Sequence, residues 1–303
     1  GSSWYYLRYL DPHNDKCLVD HEIERHWSPV DLYVGGAEHA TRHLIYARFW
    51  HKFLYDLGVV NYPEPFTKLR HVGLIIGEDG RKMSKRWGNI VNPDNMVAQF
   101  GADALRLYEM FMGPFDQSNE WHTSGLKGTR RFLDKIWSLK SKVTSEVNNL
   151  EVDSQVQRTI SKVGADIEHF KFNTAISALM ILVNKLSEQQ TINRENYQKL
   201  LIILSPFAPY LTQELWSLLG NEGFISEQSW PTVDEKILQT ELTTLVVQFN
   251  GKTRGVITLP INTSQQKIID IIKQTPKLNK YWIDQAEPKK IIFLPNKLIN
   301  FVF

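Results

Sequence analysis

The feature that most constrains the fold is a long stretch, residues 124–219, in which apolar residues recur at helical spacing. Phe132, Ile136 and Leu139 share one face of a 3.6-residue repeat, and glycine is sparse throughout the stretch. Helices with one apolar stripe bury it against one another, which indicates a bundle of four or five helices. The predicted helices cover about 124–149, 153–170, 172–190, 193–204 and 207–219.

The first 120 residues alternate short apolar runs with glycine turns. Residues 31–35 predict a short buried strand, and 38–57 predict a long, mostly buried helix that Gly58 ends. A second buried strand is predicted at 72–76, and Asn92 and Pro93 mark the start of a helix that runs to Phe100. A further helix is predicted at 102–112. Strand, helix, strand and helix with glycines at the turns is typical of an α/β sheet.

The last part of the chain predicts a compact α/β module. Strands at 242–249 and 253–259 flank an Asn250-Gly251 turn, a helix follows at about 264–274, and strands at 290–294 and 298–302 flank Pro295-Asn296. Residues 240–303 hold 9 Lys+Arg against 4 Asp+Glu, whereas residues 1–120 hold 13 against 16. This basic end suggests a polyanionic partner; ordinary solvated lysines are the alternative.

Composition excludes several classes of protein. With 42% apolar residues the chain has enough material for a core, so disorder is excluded as its main state. It contains no apolar run of about 18 residues, and its start lacks a secretory leader. Cys17 is the only cysteine, which favours a reducing, cytoplasmic setting. The aromatic opening, Gly1 to Tyr6, is typical of a domain interior and predicts a piece of a longer protein.

A basic loop is the first candidate site. Lys82, Met83, Ser84, Lys85 and Arg86 follow a predicted strand between glycines that allow movement. Clustered cations suit a phosphate chain whose charge changes during a reaction. A basic surface turn is the alternative.

The second candidate site is the turn Gly35-Gly36-Ala37-Glu38-His39, at the carboxyl end of a predicted strand, where open α/β sheets bind ligands. Glu38 could accept hydrogen bonds from ribose hydroxyls, or it could simply favour the first turn of a helix. His39 and His43 have a spacing that also occurs in zinc sites, but no Glu follows His39 directly. The two histidines therefore favour a half-polar pocket wall, with packing in the core as the alternative, and no metal site is predicted.

Several segments together resemble the leucyl branch of the class I aminoacyl-tRNA synthetases, of bacterial or organellar type. The resemblance extends in order over essentially all 303 residues. It rests on SSWYYLRYLDP, YVGGAEHATRHLIYARFWHKFLYDLG, DGRKMSKRWGNIVNPDNMV, GADALRLYEMFMGP, NEWHTSGLKGTRRFLDKIW, FNTAISALMILVNKL, VVQFNGKTRGVITLP and IIFLPNKLINFVF.

The resemblance implies an architecture. Residues 1–120 would be the C-terminal half of a Rossmann-type catalytic domain, residues 121–236 a helical anticodon-binding domain, and residues 237–303 a small basic tRNA-binding domain. The complete enzyme would use ATP with Mg²⁺ to form leucyl-adenylate and would transfer leucine to tRNA(Leu).

The resemblance also implies roles for individual residues. Lys82 and Lys85 would be catalytic, in a loop that contacts ATP. The implied ATP-binding residues are Gly36, Glu38, His39, Lys82, Met83, Ser84 and Lys85. The implied leucine-pocket residues are Ser2, Tyr5, His39 and His43. The implied tRNA contacts are Lys127, Arg130, Arg131, Lys252 and Arg254.

The chain departs from the family pattern in two ways. Arg86 stands where the loop motif ends in serine, which removes a hydroxyl that could steady the loop. The family's second nucleotide-binding motif, of His-Ile-Gly-His type, is absent, as is the editing insertion. We therefore expect a C-terminal portion that is inactive without an N-terminal half. The alternative is a non-catalytic tRNA-binding or regulatory protein derived from a synthetase.

Overall fold

A computed structural model describes residues 1–145, 149–239, 242–282 and 287–303. Its N-terminal part mixes short helices with short strands. The elements are α1 (Tyr5–Arg8), α2 (His21–Trp27), β1 (Tyr33–Gly36), α3 (His43–Asp56), β2 (Leu69–Val72), β3 (Ile75–Ile76), α4 (Pro93–Phe100), α5 (Ala102–Phe111) and β4 (Asn119–Glu120). β1 pairs with β2 and β3 with β4, each pair parallel. The predicted start of α4 is confirmed, because the Asn92 side chain accepts a hydrogen bond from the Asp94 amide.

The strand predicted at 72–76 is wrong as a single buried strand. The chain divides at Gly73 into β2 and β3, which belong to different sheets. A side chain at Gly73 would collide with the Gln117 carbonyl, because the segment before β4 crosses there. β1 and β3 are also not fully buried: Val34 and Ile75 are exposed, and each strand pairs with a single strand in the sheets of the described residues.

The helix predicted at 38–57 differs in two respects. Residues Ala37–Thr41 form a 3-10 helix, and α3 begins only at His43. Ala47 and Leu54 are buried, but Phe49 is 76% and Phe53 47% exposed. The apolar residues therefore cover both sides of α3, and only one side has a partner within the described residues.

The helical part forms the largest core. The elements are α6 (Thr123–Leu139), β5 (Val143–Thr144), α7 (Leu150–Glu168), α8 (Phe172–Ser187), β6 (Ile192–Asn193), α9 (Arg194–Leu204), α10 (Pro209–Leu218) and α11 (Glu235–Gln239). The five predicted helices are confirmed, although the first ends at Leu139, and residues 146–148 of its predicted range lie outside the described residues. Ala104 and Leu107 of α5 join this core, so the first part packs directly on the bundle.

The C-terminal module is confirmed element by element. It comprises β7 (Leu242–Phe249), β8 (Lys252–Pro260), α12 (Gln265–Gln274), α13 (Pro276–Asn279), β9 (Lys290–Leu294) and β10 (Leu298–Val302). The sheet order is β8-β7-β10-β9, with β10 parallel to β7. Asn250 and Gly251 have positive φ, as the predicted tight turn requires. None of the described helices has the length and apolar character needed to cross a bilayer.

Candidate functional site

The turn after β1 holds the first group of candidate residues. The Glu38 carboxylate folds back over Gly36, so that a side chain at Gly36 would collide with it. Glu38 is exposed, and it forms no ion pair among the described residues. The His39 Nδ1 atom is buried without a hydrogen-bond partner in the described part of the chain. Glu38 therefore shields the backbone at Gly36, and the turn places an exposed carboxylate close to an imidazole nitrogen that has no partner among the described residues.

His39 and His43 do not lie on one continuous helix. Arg42 between them has φ −127° and ψ −101°, which ends the 3-10 helix and lets α3 begin at His43. The two rings are 6.2 Å apart and nearly perpendicular. No group of three or more His, Cys, Asp or Glu able to hold a metal ion occurs within the described ranges.

His43 is buried and fully hydrogen-bonded. Its Nε2 lies 2.8 Å from the Ser2 carbonyl and its Nδ1 lies 2.9 Å from the Tyr33 hydroxyl. A carbonyl can only accept, so Nε2 carries a proton and donates it to Ser2, while Nδ1 forms the second hydrogen bond with the Tyr33 hydroxyl. The Tyr5 ring is 5.4 Å from the same imidazole. Ser2, Tyr5 and His43 are therefore brought together, although Ser2 contributes its backbone carbonyl rather than its hydroxyl.

Tyr33 is a site residue that the sequence reasoning missed. Its ring stacks on His43 at 5.6 Å and 12°, and burial raises the pKa of its hydroxyl, which keeps the phenol protonated as a donor. Tyr33 and Gly35 are alternate residues of β1 and so share one face of the strand. The alternation of side chains along a strand could have identified Tyr33 from the sequence, because it places Tyr33 on the same face as Gly35.

The basic loop is attached to the protein by its apolar residue. The Met83 side chain packs against a buried cluster that includes Tyr108 and Trp121. Close to it, the Ser84 amide donates to the Asn89 Oδ1 atom at 2.9 Å. Lys82 and Lys85 remain exposed, and neither forms an ion pair among the described residues. The loop therefore presents two unpaired cations to solvent from a fixed base.

The glycine turn at residues 35–39 and the basic loop at residues 82–86 are held by different sets of contacts. No hydrogen bond or ion pair joins residues 35–39 to residues 82–86 in the part of the chain that the structure describes. Each is held by its own neighbours: His43 and Tyr33 for the turn, and the Met83 cluster for the loop. The turn and the loop each carry groups suited to a nucleotide or an amino acid.

The five cations predicted to contact tRNA differ in their partners within the protein. Arg130 forms an ion pair with Asp134 at 2.9 Å, whereas Lys127 and Arg131 are exposed on α6. On β8, Lys252 is exposed, and the Arg254 guanidinium lies 4.8 Å from the Tyr281 ring centroid. Arg130 thus has an acidic partner on the surface of α6, and the other four cations form no ion pair among the described residues.

Comparison with protein families gives two matches. Residues 20–122 match the family described as tRNA synthetases class I (I, L, M and V), and residues 149–269 match the anticodon-binding domain of tRNA ligase. A leucine--tRNA ligase of Chlorobaculum tepidum is 46% identical over 99% of this chain, and one of Leptospira biflexa is 46% identical over all of it. The chain spans 38% and 36% of the lengths of these two relatives.

Solved structures show the same likeness. The ternary complex of Agrobacterium radiobacter K84 agnB2 LeuRS with tRNA and LeuAMS matches with a TM-score of 0.74 and 35% identity, covering 99% of this chain and 42% of that one. A methionyl-tRNA synthetase of Mycobacterium tuberculosis bound to methionyl-adenylate matches with a TM-score of 0.55 at 17% identity, over 73% of this chain and 49% of that one. The second match supports the fold alone.

Proposed function

This chain is a homologue of the leucine--tRNA ligases and has their class I catalytic and anticodon-binding architecture, and from that premise we propose that it supplies part of a leucine-activating enzyme. The complete enzyme would join leucine to ATP, release pyrophosphate, and transfer leucine to tRNA(Leu). The single observation that carries the proposal is the pair of exposed, unpaired lysines, Lys82 and Lys85, on a loop anchored by Met83.

The proposed chemistry of the loop follows from charge. When a leucine carboxylate oxygen attacks the α-phosphorus of ATP, negative charge builds up on the departing pyrophosphate. Lys82 and Lys85 would stabilise that charge in the transition state, because ammonium groups act as mobile point charges on phosphate. Mg²⁺ would arrive with the ATP phosphates as part of the substrate. Gly36, Glu38 and His39 would contact the adenosine and the adenylate.

We propose that the pocket wall formed by Tyr5, Tyr33 and His43 selects leucine. The rings of Tyr5 and Tyr33 flank the His43 imidazole, whose two nitrogens are both hydrogen-bonded, so the imidazole presents carbon surface rather than unpaired polar groups. Such a wall favours an aliphatic side chain, since a polar one would lose its hydrogen bonds to water. His39, whose Nδ1 has no partner among the described residues, would form the polar edge of the pocket.

One side of α3 carries an exposed apolar surface that would suit a further polypeptide. Large apolar side chains are exposed together on one side of α3, among them Ile45, Phe49 and Phe53, and parallel sheets are normally covered on both faces. We propose that a polypeptide outside these 303 residues packs there and provides the nucleotide-binding motif that this sequence lacks. Lys127, Arg131, Lys252 and Arg254 would bind tRNA phosphates. Arg130 would contribute less to that role, because it would have to exchange its exposed ion pair with Asp134 for a phosphate contact.

The test is leucine-dependent exchange of pyrophosphate into ATP, measured with the chain alone and after addition of the N-terminal half of a homologous enzyme. We expect exchange only in the mixture. Lys85→Ala should lower the exchange rate by about a hundredfold, which is typical of the loss of one transition-state electrostatic contact. Lys135→Ala, whose amine instead binds the Asn184 amide oxygen, serves as the matched control.

The alternative is a non-catalytic tRNA-binding protein, which the absence of the second nucleotide motif favours. If the mixture gives no exchange while the chain alone binds tRNA(Leu) with a strong dependence on salt, the alternative holds and the enzyme proposal fails.

A further inference from the structure

The basic loop contains a stacked arrangement that the family resemblance does not explain. The Arg81 and Arg86 guanidinium carbons lie 4.6 and 5.0 Å from the centroid of the Trp87 ring. Both distances fall within the range of a cation–π contact, and tryptophan is the side chain that forms the strongest ones. The Trp87 ring is about half exposed, so it belongs to the loop itself rather than to the core beneath it.

A second set of contacts holds the base of the same loop. Arg81 forms an ion pair with Asp79 at 2.8 Å, and the Asn89 amide donates to the Asp79 carboxylate at 3.0 Å. The Asn89 hydrogen bond is the main cause that lowers the pKa of Asp79, which keeps this carboxylate ionised opposite Arg81. The loop's cations therefore divide into two kinds: the arginines have partners within the loop, and Lys82 and Lys85 form no ion pair in the described part of the chain.

We propose that Trp87 is a positioning residue, and that Arg86 acts through it rather than on the substrate. The ring binds the two arginines on either side of Lys82 and Lys85 along the chain, and thereby restricts the segment that presents both lysines. Arg86 supplies the restraint that a serine hydroxyl would provide in the family pattern. The ligand assigned to the loop rests on the proposed function; the restraint itself does not.

The restraint is tested by hydrogen–deuterium exchange on the chain as it stands. Trp87→Ala should speed exchange of the amides of residues 81–88 by about ten-fold, since two exposed cation–π contacts are lost. The amides of Trp87 and Gly88 donate back to Ser84 and Lys85 and should respond most. Trp87→Phe keeps a ring and should restore most of the protection.

The matched control is Trp27→Ala, which removes another exposed tryptophan, at the end of α2. It should leave exchange in residues 81–88 unchanged. The proposal is overturned if Trp87→Ala leaves that exchange unchanged, or if Trp27→Ala alters it equally.

Activity of the mixture with the N-terminal half gives an independent readout. Trp87→Ala should raise the KM for ATP and leave the KM for leucine unchanged, with recovery in Trp87→Phe, whereas a loss of folded protein would lower the maximal rate and leave both KM values unchanged. If the unsubstituted mixture shows no exchange of pyrophosphate into ATP, the proposed function fails, and the hydrogen-exchange result still decides the role of Trp87.

Discussion

Asp103 joins the catalytic part to the bundle, and its substitution tests which of two opposing effects is larger. Its carboxylate accepts hydrogen bonds from the Leu211 amide at 2.7 Å and the Tyr210 amide at 3.4 Å, in the first turn of α10. These bonds favour the ionised form, and burial opposes it. Burial is the larger of the two effects, and it raises the pKa of Asp103 above its usual value.

The magnitude follows from the contacts. Asp103→Ala leaves two first-turn amides without this partner, and loss of a cap with a buried unsatisfied donor costs about 2–3 kcal/mol. Asp103→Asn keeps one acceptor oxygen for the short bond and removes the desolvated charge. We therefore expect Asp103→Asn to change the free energy of unfolding at pH 7 by less than about 1 kcal/mol, because Asn and Asp cap helices equally well.

The pH dependence has a definite sign. A carboxyl whose folded pKa is raised binds more protons in the folded state than in the unfolded state. Wild-type stability relative to Asp103→Asn should therefore fall as the pH rises above the ordinary carboxyl pKa of 3.8 and through the raised pKa of the folded state.

Urea unfolding at several pH values measures the difference, with Asp94→Ala, an exposed aspartate in the first turn of α4, as control. The reasoning is refuted if Asp103→Asn is as damaging as Asp103→Ala, since the charge itself would then be essential.

Three further substitutions test other contacts, each by chemical or thermal unfolding. Glu64 accepts bonds from Arg48 at 2.6 and 2.7 Å, and its pKa is lowered to about 2, chiefly by that contact. Glu64→Gln should therefore lower the free energy of unfolding by about 1 kcal/mol at neutral pH, after allowance for solvent screening. This loss should shrink as the pH falls from 4.5 towards 2, and a loss that does not depend on pH would contradict the prediction. Tyr197 is fully buried and donates to the Ile136 carbonyl at 2.9 Å, so Tyr197→Phe should cost about 1–2 kcal/mol; no change would contradict that bond's contribution. Gly73→Ala should cost more than about 2 kcal/mol, because its methyl group would meet a backbone carbonyl, and a neutral effect would exclude that close approach.

The sequence predicted those elements whose neighbours lie close along the chain. The bundle helices were predicted because each buries one apolar stripe in a shared core, to which Ile136 and Leu179 both belong. The C-terminal strands were predicted because their turn chemistry is local, as at Asn250-Gly251. The predicted mixed α/β and all-α fold is confirmed, whereas the domain boundaries at 120 and 236 stay predictions.

The errors arose where non-local contacts decide the structure. The division of a strand at Gly73 depends on a segment more than forty positions later, which periodicity cannot reveal. The spacing of His39 and His43 suggested that both lie on one face of a single helix. That prediction was wrong because the backbone breaks at Arg42. The residue types of the candidate site were readable from the sequence, but the hydrogen-bond partner of His43 was not.

The sheet order of the C-terminal module has a consequence for how the chain folds. β10 lies between β7 and β9, so the apolar face of the β7–β8 hairpin is completed only when Phe301 arrives beside Phe249. Closing that long loop costs entropy before any contact compensates for it, whereas the bundle helices meet neighbours close in sequence. During refolding, Trp216 in the bundle should therefore become buried ahead of Trp282 in the C-terminal module. Stopped-flow fluorescence of two variants, in which Trp216 or Trp282 is the only one of the nine tryptophans retained, would resolve the order.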